Sequence, residues 1–125
     1  MDKKETYAFA ERLMREVWEP QDPEAVPRFY NREVVGHHRA QDLDYDDVVN
    51  RLDWDRKNNA DPVFDVRDVV ADEDKFAIRF LYTATYTPTG EKFETEAYYF
   101  YHLREGKVAE FWLLGAHDFD YKAPA

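Results

Sequence analysis

Three kinds of polar side chain in this sequence could move a proton or orient a ligand: the histidine pair His37 and His38, the neighbouring Arg39, and the carboxylates Asp68 and Asp118. Imidazole titrates nearest neutral pH, which makes His37 the first candidate for a cavity acid or base. The alternative is a histidine at the edge of the core, held by a backbone carbonyl. Alternation along an extended strand puts Val35, His37 and Arg39 on one face and His38 on the other, so the two histidines cannot chelate one ion and no metal site is expected. Arg39 could hold an anionic substrate group through both guanidinium nitrogens, or pair at the surface with Asp42 or Asp44.

Asp68 shares a strand face with Phe64, Val66 and Val70. An interior position there would desolvate the carboxylate and raise its pKa, as acid or base work requires, whereas a slip of register near the strand end leaves it a structural role. Asp118 follows His117 just past the last strand. It could carry a proton at a pocket mouth while aromatic hydroxyls stabilise an enolate, or belong to a solvated tail. Trp18, Tyr30, Trp54, Tyr99 and Phe111, together with Tyr82, Trp112 and the adjoining Leu113, would line a cavity for a flat apolar ligand, although aromatics so spaced also build plain core or a dimer interface. Trp54 falls off the apolar stripe of its own helix. There is no glycine-rich phosphate loop, nucleophile elbow or His-x-x-x-His pair, so no cofactor is expected and nucleotide-dependent, serine-hydrolase and zincin chemistry have no support.

These side chains need elements to position them. Ala10, Leu13, Met14 and Val17 recur at helical spacing and predict a helix from about Lys4 to Trp18, which Pro20 stops. Asp22 before Pro23 reads as a cap opening a short second helix through Val26, Phe29 and Tyr30, with Pro27 keeping it brief. Val34 to Arg39 is a short β-prone run in which Gly36 marks a bend or a close backbone approach. Asp44 caps a third helix whose stripe is Tyr45, Val48, Val49 and Leu52, with Asp46 and Asp47 in its first turn; Asn58, Asn59 and Pro62 end it.

From Val63 the period changes from 3.6 to 2 and predicts four strands, about Val63 to Ala71, Lys75 to Thr87, Glu91 to Arg104 and Lys107 to Ala116. Their connections are short, so neighbours should pair antiparallel as a meander. Phe76, Ile78, Phe80, Tyr82 and Tyr86 share one face of the second of these strands. On the third, Phe93, Ala97, Tyr99, Tyr101 and Leu103 oppose Tyr98 and Phe100. Apolar groups thus stand on both faces of the sheet, three helices can cover only one, and a second subunit is the simplest cover for the other.

Composition bounds the rest. A chain of 125 residues fits a single domain, and 44% hydrophobic with 17% aromatic residues supply an ample core. The net charge of -10 repels phosphate backbones and anionic lipid, so neither nucleic acid nor membrane is an expected partner. The absence of cysteine removes disulfides and thiolate chemistry. No apolar run approaches the roughly 18 residues that span a bilayer, and the charged start from Met1 to Glu5 does not read as a signal peptide, so a cytoplasmic location is the expectation.

The order of elements, two helices, a strand, a helix and a four-strand meander, resembles the nuclear-transport-factor-2-like superfamily and specifically its SnoaL-like branch, over roughly Thr6 to Ala116. The pieces that carry the likeness are Asp22-Pro23-Glu24-Ala25-Val26, Val34-Val35-Gly36-His37, Val69-Val70-Ala71-Asp72, Thr89-Gly90, and Glu105-Gly106-Lys107-Val108-Ala109-Glu110-Phe111-Trp112. The resemblance implies an α+β fold: a cone-shaped sheet, three N-terminal helices, a deep pocket between them, and a homodimer formed through the outer sheet face. It keeps a histidine at His37 on the strand expected to line that pocket. Members include cyclases, isomerases, dehydratases, epoxide hydrolases and proteins without catalysis. Two positions depart from the branch, with Leu113 where many members carry an acid after the tryptophan and Tyr86 where a histidine often follows threonine. The expected function is binding of a small, largely apolar metabolite, with cofactor-free isomerisation, cyclisation or dehydration by proton transfer at His37, or a non-catalytic ligand-binding or interaction domain built on the same dimer.

Overall fold

The computed structural model describes residues 1–115 and 121–123. Helix α1 (Lys3–Leu13) opens under a capping box in which Asp2 accepts from the Glu5 amide and Glu5 accepts from the Asp2 amide, and it buries Thr6, Phe9, Ala10 and Leu13. Its continuation over Met14–Trp18 is π-helical, with the Glu19 amide donating back to the Met14 carbonyl at 2.8 Å. The expected span to Trp18 is therefore present with a wider final turn. Asp22 accepts from the Glu24 amide ahead of a 3₁₀ turn, Pro23–Ala25, which runs into the single turn of α2 (Val26–Phe29).

Strand β1 (Tyr30–His38) starts earlier than the apolar run at Val34 implies, and a short β2 (Gln41–Leu43), not foreseen in the sequence, folds back on it. Helix α3 (Tyr45–Asn58) begins at a capping box between Asp44 and Asp47 and buries Val48, Leu52 and Asp55. Asn59 ends this helix and begins β3 (Asn59–Asp72) with no loop between. Pro62 therefore lies inside a strand, at an irregularity between Ala60 and Val63 where the ladder has no need of its missing N–H. Strands β4 (Lys75–Tyr86), β5 (Glu91–Arg104) and β6 (Lys107–Gly115) follow the predicted bounds closely.

The six strands form one curved, unclosed sheet in the order β2-β1-β6-β5-β4-β3. The meander from β3 to β6 is antiparallel throughout, as the short turns require, and β1 closes on β6 in parallel. Phe76, Ile78, Phe80 and Tyr82 of β4 pack with Tyr99, Tyr101 and Leu103 of β5 against the helices. Burying a side chain of this size stabilises the fold by about 1.5 to 3 kcal/mol. Gly36 of β1 faces the same core, and a Cβ there would run into the Phe111 ring, so the glycine marks a close approach between neighbouring strands. The opposite face leaves Val70 69% and Leu114 67% exposed, beside half-exposed Tyr98 and Phe100.

Asp68 does not share a face with Phe64. The ladder slips between Val66 and Asp68, which turns Asp68 and Val70 outward while Phe64 and Val69 pack on the core. Asp68 is exposed and accepts from Arg79 Nε at 2.7 Å, the structural role that sequence reasoning also allowed.

Candidate functional site

Curvature of the sheet leaves a cavity of about 670 Å³ between its concave face and α3. Its walls are aromatic, with Trp18, Phe80 and Tyr99 deep in the fold and Trp54, Tyr86 and Phe93 also lining it. Trp54, off the apolar stripe of α3, owes its position to stacking on Tyr86 (centroids 6.1 Å apart) and to the Arg51 guanidinium 5.0 Å from its ring centre.

A polar cluster interrupts this lining. Asp55 is only 6% exposed. Arg51 grips its carboxylate with two nitrogens, Nε at 3.3 Å and Nη2 at 3.0 Å. Asn59, one helical turn further on, donates from Nδ2 to Asp55 Oδ1 at 3.3 Å and to the Tyr82 hydroxyl oxygen at 3.0 Å. Gln21 Nε2 donates to the same hydroxyl oxygen at 3.3 Å. A carboxylate, an amide and a phenol are thereby joined in one chain at the cavity wall.

Burial pushes the Asp55 carboxyl above its ordinary range, and the Arg51 charge and hydrogen bonds oppose that without cancelling it. Burial also pushes the Tyr82 phenol up to about 12, with the nearby Asp55 charge adding to the effect and Asn59 and Gln21 opposing it. At neutral pH Tyr82 is therefore a hydroxyl donor, and Asp55 is a carboxyl whose protonated form is easier to reach than that of a surface aspartate.

The histidine expectation is corrected by the fold. Tyr30, Val34, Gly36 and His38 are the buried positions of β1, so His37 points to the outer face. There its Nε2 lies 2.6 Å from Glu110 Oε2, its Nδ1 lies 3.3 Å from Asp42 Oδ1, and its ring stacks on Trp112 with centroids 5.2 Å apart. Of the expected ligand contacts, Trp18, Trp54 and Tyr99 line the cavity. Tyr30, Phe111 and Leu113 are buried core residues off its wall, and Arg39 occupies the exposed β1–β2 turn at φ +58°. Asp118 lies outside the described residues.

Sequence reasoning missed Asp55, Asn59, Arg51 and Gln21. A signal for two of them existed: the apolar stripe Val48 and Leu52 continues at helical spacing to Asp55 and then Asn59, so a carboxylate stood on the buried face of α3.

A curved α+β sheet roofed by helices over a cavity is the architecture of the nuclear-transport-factor-2-like proteins, and the structural neighbours are of that class. A family model for SnoaL-like polyketide cyclases matches residues 8–115, and the chain belongs to that family. Among solved structures it is similar to AclR from Streptomyces galilaeus, with TM-score 0.81 and 21% identity over 90% of this chain and 79% of that one. It is also similar to TsrD from Streptomyces laurentii, with TM-score 0.80 and 15% identity over 93% and 91% of the two chains. IdmH from Streptomyces antibioticus gives TM-score 0.74 and 19% identity over 87% and 90%. No curated protein matches the sequence. Identities this low speak for the shared fold. No helix among the described residues is long and apolar enough to cross a membrane.

Proposed function

We propose that the protein binds a small, flat, largely apolar cyclic metabolite in the inner cavity and moves a proton on it without a cofactor, as an isomerase, cyclase or dehydratase. The observation that carries this reading is the hydrogen-bonded chain Asp55–Asn59–Tyr82 on an otherwise aromatic wall. Asp55 takes the part of the proton carrier, because a desolvated carboxyl can hold and release a proton nearer neutral pH than a solvated one. The Tyr82 hydroxyl donates to the oxygen on which negative charge develops. Tyr121 also lines the cavity, and its buried hydroxyl has no partner among the described residues, which leaves a polar group for a ligand to satisfy. Asp118 remains a candidate second carboxylate on the strength of its sequence position, three residues after Gly115.

A cavity without a buried titratable pair would have favoured a non-catalytic binding domain; Asp55 and Tyr82 are such a pair, and they favour catalysis. The test is exchange of α-protons of a panel of cyclic ketones in heavy water, followed by NMR. The wild-type chain should accelerate exchange for at least one of them and Asp55→Asn should not. Equal rates in the two would sink the proton-transfer assignment.

We further propose that the protein acts in the cytoplasm as a homodimer packed through the outer sheet face. Its support is the bare apolar surface around Val70, Phe100 and Leu114, which water covers poorly and a second copy would cover well. Analytical ultracentrifugation should give the dimer mass for the wild type and the monomer mass for Leu114→Asp.

A further inference from the structure

Gln21 occupies the turn after Pro20 with φ +51°, in the left-handed region where helix-ending turns usually place glycine. It is nonetheless a glutamine, and its side chain is buried at 3% exposure rather than turned to water. A long polar side chain kept at a backbone position that disfavours it invites a reason in the site it reaches. What it reaches is the Tyr82 hydroxyl oxygen, 61 residues away in sequence.

The hydrogen-bond directions follow from Asp55. An ionised carboxylate can only accept, so the Asn59 atom that contacts it is the amide nitrogen, and that same nitrogen also donates to Tyr82. Gln21 Nε2 approaches the phenol oxygen as a second donor. Both lone pairs of that oxygen are then engaged, and its own proton must leave in a third direction. Among the described residues no acceptor takes that proton, while Tyr82 lines the cavity.

We propose that Gln21 is a positioning residue which, together with Asn59, makes the Tyr82 hydroxyl an obligate donor, so that this wall of the cavity takes an acceptor oxygen of a ligand, a carbonyl or an enolate, and rejects a donor group. This rests on the small-molecule reading of the cavity. The left-handed turn after the π-helical segment delivers one amide to one phenol oxygen.

The test uses two probes on the full chain, 2-acetylnaphthalene with a carbonyl acceptor and 2-ethylnaphthalene without one, titrated by quenching of tryptophan fluorescence. The wild type should bind the ketone about five- to tenfold more tightly, the worth of one hydrogen bond. Tyr82→Phe should abolish the preference, and Gln21→Met should cut it to about twofold while leaving affinity for the hydrocarbon unchanged. A second readout needs no ligand: 3,5-difluorotyrosine in place of Tyr82, followed by fluorine NMR against pH. Removing one donor to the phenolate should raise its midpoint by about one unit in the Gln21→Met background. Gln21→Gly relieves the turn and should show the same two losses, so the claim survives a methionine variant that fails to fold. An unchanged ketone preference or an unchanged fluorine midpoint in these variants overturns the inference. Should neither naphthalene bind the wild type, the small-molecule reading fails, and the fluorine midpoint alone then decides whether Gln21 positions Tyr82.

Discussion

Two regions of this molecule combine titratable groups with aromatic rings, one on each face of the sheet. On the inner face Asp55, Asn59, Gln21 and Tyr82 form a closed-in chain beside a cavity, with Asp55 6% exposed. On the outer face His37, Glu110 and Asp42 cluster on the Trp112 ring, with the His37 and Glu110 side chains 29% and 39% exposed. The residue types on the outer face look the more catalytic of the two. The inner cluster has what chemistry needs: burial, which strengthens each electrostatic interaction, and a cavity beside it that a ligand can enter. Half-exposed pairs such as His37 with Glu110 are screened and contribute less.

The comparison breaks if the faces trade roles. The largest expected effect is on catalysis: Asp55→Asn should slow ketone α-proton exchange by about 100-fold or more, while His37→Gln leaves the rate within about twofold. A loss with His37→Gln and none with Asp55→Asn would return the site to the outer face. Next in size is Gly36→Ala, whose added methyl meets the Phe111 ring; denaturant titration should show a loss of about 1 to 3 kcal/mol, the ordinary cost of overpacking a core.

Stability against pH sharpens the contrast further. The Asp55 carboxyl is raised in the folded protein, so between its unfolded pKa near 3.8 and its higher folded value the native state binds more protons, and this group lowers stability as pH rises through that window. Asp55→Asn removes that contribution, and the difference between wild-type and variant melting temperatures should drift against the wild type on going from pH 4 toward neutrality. A difference that stays flat would mean that the Arg51 charge cancels the effect of burial on Asp55. The smallest effect belongs to the outer face, where His37→Gln should change stability by less than about 1 kcal/mol at moderate salt in thermal melts.

Much of the scaffold was legible because it depends on local rules. The caps at Asp22 and Asp44 and the stripe of α3 report neighbours within one or two turns, and the structure has them where they were expected, whereas the extended run before the meander begins at Asn59, four residues ahead of the expected Val63. The outward turn of Asp68 was not legible, since a single slip of register at Val66 reverses every later side chain and leaves no mark in composition. The face assigned to His37 failed for a related reason. Alternation separates His37 from His38 but does not say which face is roofed, and that depends on where the helices settle on a sheet whose curvature arises from all its strands.

What the amino-acid sequence determined by itself is the set of elements and their order, and with them the α+β class, because helix caps, turn residues and hydrophobic period act over short range. Only the tertiary structure decided which polar groups meet at the cavity wall. Gln21, Asp55, Asn59 and Tyr82 come from a turn, a helix, a helix-to-strand junction and a strand. Folding brings them within hydrogen-bond reach and buries them, and desolvation of a carboxyl and a phenol at one wall is a property of the assembled fold that no segment carries alone.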